Sequence, residues 1–82
     1  MYTRLKELRE DSDMNQTQIA KILGVGQRAI SHYELGENCI PIEILKRLAD
    51  YYGTSVDYLL YRTDVKEPYP ESKKLKLLQE LE

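Results

Sequence analysis

The side chains most suited to directional chemistry in this 82-residue chain are Gln27, Arg28, Ala29, Ser31 and His32. Helical spacing places Gln27, Arg28, Ser31 and His32 together on one outer face. Arginine can grip the O6 and N7 of a guanine at once, and glutamine can do the same for the N6 and N7 of an adenine. Each such contact discriminates between bases by about 1–3 kcal/mol. The Ala29 methyl could meet a thymine methyl, and Ser31 could reach either a base or a phosphate. The plainer alternatives are a surface role for Gln27 and a sequence-blind phosphate contact for Arg28.

His32 is the only histidine and Cys39 the only cysteine. A Ser-His-Asp or Cys-His nucleophile would need His32 in a cleft beside a serine or Cys39, and an exposed helix face offers none. A metal centre lacks a second histidine or cysteine. Asp11 with Asp13, and Glu34 with Glu37, could mimic a carboxylate pair, but solvated helix ends account for them better. The expectation is therefore no catalytic residue, no metal and no cofactor.

Two short helices must position the face. Residues Gln16–Leu23 carry Ile19, Ile22 and Leu23 at i, i+3, i+4 spacing. Asn15 is placed as N-cap, with Gln18 three residues on where a capping-box partner reaches back. Gly24 stands where the chain leaves the helix, a position that favours φ > 0. The second helix, Gln27–Leu35, turns Ile30 and Tyr33 inward, and Gly36 closes it.

This pattern resembles the helix-turn-helix of the Cro/repressor or XRE-like family. Small Ala20 lies where the family's two helices cross, and Gly24 falls in the turn. Ile19, Leu23, Val25, Ile30 and Tyr33 occupy its apolar positions. Ile30-Ser31-His32-Tyr33-Glu34-Leu35-Gly36 is similar to the family's Ile-Ser-x-aromatic-Glu-x-Gly ending, and the likeness runs from about Leu5 to Leu60. The resemblance implies an all-α, five-helix lambda-repressor-like DNA-binding domain. It also implies that Gln27 and Arg28 open the recognition helix, that Gln16 clamps the DNA backbone, and that Arg9 pairs with Glu34. Two unlinked surface charges are the alternative for that last pair. The chain departs from the family in the loop Glu37-Asn38-Cys39-Ile40, where many relatives carry Arg or Lys, so minor-groove readout from it is not expected. Gly26 stands at the N-cap where Ser or Thr is usual, a loss of only a few tenths of a kcal/mol.

A formal net charge of −2 runs against DNA binding, which usually shows as a basic surface. Yet phosphate contact needs only a local patch. Between Gln16 and Tyr33 the charged residues are Lys21 and Arg28, both positive, while acids gather at Glu7–Asp13 and Glu34–Glu43. Phosphate contacts are expected from Gln16, Lys21 and Asn38, with Lys46 a weaker candidate. They would lean on helix N-termini and neutral donors.

The remaining chain fills in the domain. A first helix, about Tyr2–Asp11, turns Leu5 and Leu8 inward and leaves Arg4, Lys6, Glu7 and Glu10 as a solvated face. Met14 plugs the core. Pro41 suits the first turn of a fourth helix that carries Ile44 or Leu45, Leu48, Ala49 and Tyr52 at core spacing and ends at Gly53. Ser55 caps a fifth helix with Leu59 and Leu60 inward. Cys39 is read as small and semi-buried, or as a redox-sensing thiol. Residues 1–63 thus form the domain, and residues 64–82 an extended linker and a C-terminal amphipathic helix.

That last helix, Ser72–Glu82, bears a stripe of Leu75, Leu78 and Leu81, with Leu77 beside it. Eleven residues cannot hold a helix alone in water, so the stripe docks on the domain, pairs with a second copy, or frays. Pairing into a homodimer suits the two-fold symmetry of DNA operators. No apolar run spans a bilayer and no signal-peptide core opens the chain, so a cytoplasmic location and no membrane partner are expected. The leading expectation is a sequence-specific regulator of transcription, a dimeric repressor on a double-stranded operator. The rival is a protein-interaction module, antitoxin-like or anti-repressor, that keeps the same fold.

Overall fold

The computed structural model describes residues 1–81. Its elements are α1 (Leu5–Asp11), α2 (Gln16–Leu23), α3 (Gln27–Glu34), α4 (Ile42–Tyr52), α5 (Val56–Leu59) and α6 (Lys73–Glu80), with no strand among the described residues. Five helices and a separate short sixth match the all-α expectation. The expected end of the last helix, Glu82, lies outside the described residues.

One core draws on all five domain helices. Leu5, Ile19, Leu23, Ile30, Leu48 and Leu59 are fully buried, with Leu8, Ala20, Ile40, Leu45 and Ala49 nearly so. Met14, Val25, Tyr33, Ile44 and Tyr52 pack around its edge. Ile22, expected inward with Ile19 and Leu23, is instead 40% exposed, because the core contacts only the Ile19–Ala20–Leu23 side of α2. Between Ile44 and Leu45, it is Leu45 that is buried. Leu60 stays only half-buried. Cys39 is exposed rather than semi-buried; the neighbouring Ile40 takes the inward position. Pro41 is the N-cap of α4, one residue before its first turn.

The helix starts use local caps. At α2 the Asn15 side chain accepts from the Gln18 N–H at 2.8 Å, and the Gln18 side chain accepts from the Asn15 N–H at 2.8 Å. At α5 Ser55 accepts from the Tyr58 N–H at 3.0 Å.

The helix ends share one geometry. After each of α1 to α5 a left-handed residue turns the chain, and the following N–H bonds back to a carbonyl five residues earlier. The pairs are Met14 to Arg9 at 3.1 Å, Val25 to Ala20 at 3.0 Å, Glu37 to His32 at 3.1 Å, Thr54 to Ala49 at 2.9 Å and Arg62 to Asp57 at 2.9 Å. These are Schellman closures, which satisfy carbonyls the helix leaves unpaired. At Gly24 and Gly36, φ of 72° and 75° calls for a residue without a Cβ. At Asp13 and Tyr61, φ of 57° and 60° is adopted by residues that pay a steric cost for it.

Helix α1 starts at Leu5, not Tyr2, because the residues before it are engaged elsewhere. The Arg4 N–H donates to the Leu59 carbonyl at 2.8 Å, and Thr3 Oγ1 accepts from the Leu5 N–H at 3.3 Å. Arg4 is also no part of a solvated face: it is 8% exposed. Its guanidinium lies between the rings of Tyr58 and Tyr61, 4.1 and 4.3 Å from their centres. From there it donates to the Tyr58 carbonyl at 2.7 Å and to Asp64 at 2.8 Å. A stacked, forked cation of this kind is held by geometry that lysine could not reproduce.

The linker after residue 63 is likewise anchored. Besides Arg4 to Asp64, Thr54 Oγ1 donates to the Lys66 carbonyl at 2.5 Å, and the Tyr69 hydroxyl donates to Asp57 at 3.2 Å. Beyond it, Leu75, Leu77, Leu78 and Leu81 are 46%, 62%, 51% and 84% exposed, so α6 buries no leucine in the domain.

Candidate nucleic-acid interface

Packing of α3 against α2 sets the exposed face. Ala20 of α2, 3% exposed, and Ile30 of α3, fully buried, both belong to the shared core. Gln27 and Arg28 then stand exposed at the start of α3, while Ala29, Ser31 and His32 are partly exposed further along. Neither Lys21 nor Arg28 has an ion-pair partner among the described residues. Both charges are therefore available to an external anion.

A continuous hydrogen-bond chain leads into this face from the interior. Glu34 lies with its side chain only 4% exposed, and Arg9 Nε and Nη2 donate to its two oxygens at 2.6 and 2.9 Å. Arg9 Nη1 also donates to the Met14 carbonyl at 2.8 Å, so one guanidinium ties α1, the turn after it and α3. The bonds to Glu34 push the Arg9 pKa further up, against the opposing effect of its burial. Gln16 Nε2 donates to the same carboxylate at 3.1 Å, and Gln16 Oε1 accepts from Gln27 Nε2 at 2.5 Å. This leaves the Gln27 carbonyl oxygen and its second amide N–H unused. An acceptor beside a donor is the pair that adenine's N6 and N7 require.

His32 has a partner that spacing within a helix does not disclose. Its Nδ1 is 2.6 Å from Glu37 Oε2, across the turn made by Gly36. Glu37 lies outside α3, and the signal for it is the Schellman closure, which folds the residue after the glycine onto the residue five before it. A second unanticipated contributor is Arg47 of α4, whose Nη1 donates to the Leu23 carbonyl at 3.0 Å and so caps α2 at the turn between the two motif helices.

The other candidates are more scattered. Asn38 is exposed in the loop after α3 and makes no side-chain hydrogen bond among the described residues. Lys46 pairs loosely with Glu43 at 4.0 Å and lines a groove walled by α4, α5 and the tail, with no residue of α2 or α3. It does not join the recognition face. No cluster of His, Cys, Asp or Glu among the described residues could hold a metal ion, and no described helix is long and apolar enough to cross a membrane.

Comparison with known proteins gives a consistent picture. The model of the family described as helix-turn-helix matches residues 5–59, which spans α1 to α5. An uncharacterised HTH-type transcriptional regulator of Bacillus subtilis is 36% identical over 73 residues, 89% of this chain and 65% of its own. A cryptic-phage CTXphi transcriptional repressor of Vibrio cholerae is 25% identical over 98% of this chain and 72% of its own. The chain thus spans just under two thirds of the Bacillus relative, and only 28% of a putative HTH-type regulator of Saccharolobus islandicus. The crystal structure of a transcriptional regulator from Listeria innocua superimposes with a TM-score of 0.65 at 32% identity, over 94% of this chain and 70% of that one. With the family model matching α1 to α5 and a regulator of known structure superimposing over 94% of the chain, the chain belongs to the helix-turn-helix family of Cro/repressor type.

Proposed function

We propose that this protein binds double-stranded DNA in a sequence-specific way and regulates transcription, as a repressor that occupies its operator. The observation that carries this reading is the chain Arg9–Glu34–Gln16–Gln27. It starts from a buried carboxylate and ends on an amide whose free acceptor and donor face outward. A preorganised amide loses less entropy when it meets a base than a freely rotating one. In this reading Gln27, Arg28 and His32 contact bases, with Ala29 and Ser31 beside them. Gln16, Lys21 and Asn38 meet phosphates. No catalytic role, metal or cofactor is assigned, and the location is cytoplasmic.

The operator is read by a homodimer. The exposed leucines of α6 support that assembly, since an apolar stripe of this kind on a short helix calls for a partner. A two-fold dimer would set two copies of α3 against half-sites one helical turn apart. Leu78→Glu should then lower the mass measured by sedimentation to that of one chain and weaken binding to paired half-sites.

Selection of bound sequences from a random duplex pool, run with wild type and Arg28→Ala at low salt, tests the central reading. The expected result is an enriched site with two related half-sites, whose preference relaxes at one position in the variant. Binding should also weaken steeply with added salt as counterions are released. The same exposed leucines favour the rival reading of a protein-interaction module, whose apolar association would not weaken with salt. No enrichment from either protein would decide for that rival.

A further inference from the structure

Glu37 lies outside the recognition helix and outside the DNA-reading set, yet it touches one member of that set twice. Its backbone N–H donates to the His32 carbonyl at 3.1 Å, and its carboxylate oxygen lies 2.6 Å from His32 Nδ1. The place it occupies in a Schellman closure usually supports an apolar contact across the turn. Here that contact is a carboxylate against an imidazole.

An ionised carboxylate has no proton to donate, so the hydrogen of this bond must sit on Nδ1. In the neutral ring Nε2 is then a bare acceptor. We propose that Glu37 is a specificity-determining positioning residue, which fixes the Nδ1–H tautomer of His32 and so turns Nε2 into a hydrogen-bond acceptor toward DNA. An acceptor in the major groove takes the exocyclic amino group of adenine N6 or cytosine N4; it finds no partner on guanine N7 and O6 or on thymine O4. The unconstrained Nε2–H form would prefer the reverse. Glu37 thereby chooses between two classes of base without meeting the DNA. This rests on the proposed function above, with His32 as a base contact.

Two measurements test it. His32 is the only histidine, so the nitrogen signals of a single imidazole in the free protein report its tautomer directly. At a pH where the spectrum shows the ring carrying a single proton in both proteins, wild type should hold it on Nδ1 and Glu37→Ala mainly on Nε2. Glu37 is exposed, so the variant keeps the fold. Sequence selection at the same pH should give one position per half-site favouring adenine or cytosine. Glu37→Ala and His32→Ala should each lower that preference by about fivefold, the size of one hydrogen bond. Positions read by Gln27 and Arg28 should stay as they are.

A wild-type ring protonated on Nε2, or a tautomer unchanged in Glu37→Ala, overturns the proposal. So does a base preference that Glu37→Ala leaves unaltered at every position, whether or not His32→Ala changes it. Absence of any enriched site removes the DNA half of the proposal together with the regulator reading, and the imidazole spectrum then decides the tautomer half alone.

Discussion

At the scale of single residues, burial beneath the exposed face of α3 requires charged groups to be paired. Glu34 is the clearest case: a carboxylate with its side chain 4% exposed must be compensated, and three donors from Arg9 and Gln16 do so. Arg9→Met should therefore destabilise the fold by about 3 kcal/mol in urea unfolding, because it strands a buried charge. Arg9→Met with Glu34→Leu should recover most of that loss, since an apolar pair of similar volume needs no compensation. On the proposed role of Gln16 and Gln27, the recovered double variant should still bind DNA less tightly than wild type, because Gln16 loses its Glu34 acceptor. Glu34 was legible as an acid with a partner only through the family likeness. Arg4 was not legible at all. Its burial depends on Tyr58 and Asp64, residues 54 and 60 positions away, and nothing within the first helix announces them.

At the scale of elements, what could be read from the sequence is what neighbours in the chain determine. The capping box of α2, the Ser55 cap of α5 and the left-handed Gly24 and Gly36 are each fixed within five residues, and each stands where its pattern placed it. The start of α1 and the face of Ile22 depend on which other element arrives. There the structure departs from the sequence pattern by a few residues or by one side of a helix. The same local logic gives a firm expectation for the turn of the motif. At Gly24, φ is 72°, and an added Cβ would come within 3.0 Å of Arg47 Nη1, the group that caps α2. Gly24→Ala should cost about 1–2 kcal/mol from the backbone alone. In thermal unfolding of a domain this size, that lowers Tm by about 4–16 °C. Asp13 and Tyr61 carry the same conformation without glycine. Asp tolerates it through its short side chain, and Tyr61 is held there by its stack on Arg4 and its bond to Glu7 at 3.1 Å.

At the scale of the whole molecule, seven tyrosines replace other large aromatics, with no Trp or Phe in the chain. Burial raises the pKa of Tyr52, whose hydroxyl donates to the Leu8 carbonyl at 3.1 Å. Burial and the Glu7 carboxylate raise that of Tyr61, and the bond to Asp57 raises that of Tyr69. A raised folded pKa means the folded state holds its proton more tightly than the unfolded one. This stability is fully present below the ordinary tyrosine value of about 10 and is lost as pH rises through the folded values. Urea midpoints should hold steady to about pH 9 and fall toward about pH 11. Tyr52→Phe should flatten part of that fall. The Arg4 clamp has a different consequence. Because Arg4 bonds to the Leu59 carbonyl and to Asp64, the first and last segments of the domain meet on one side. Segments that meet in this way can be joined covalently with little rearrangement. A circularly permuted protein, with Asp64 joined to Thr3 by a short glycine linker and new ends opened between Asn38 and Cys39, should keep the same core. Its far-ultraviolet circular dichroism should match that of the parent. The clamp, rather than the position of the chain ends, would then be what holds the first and last segments of the domain together.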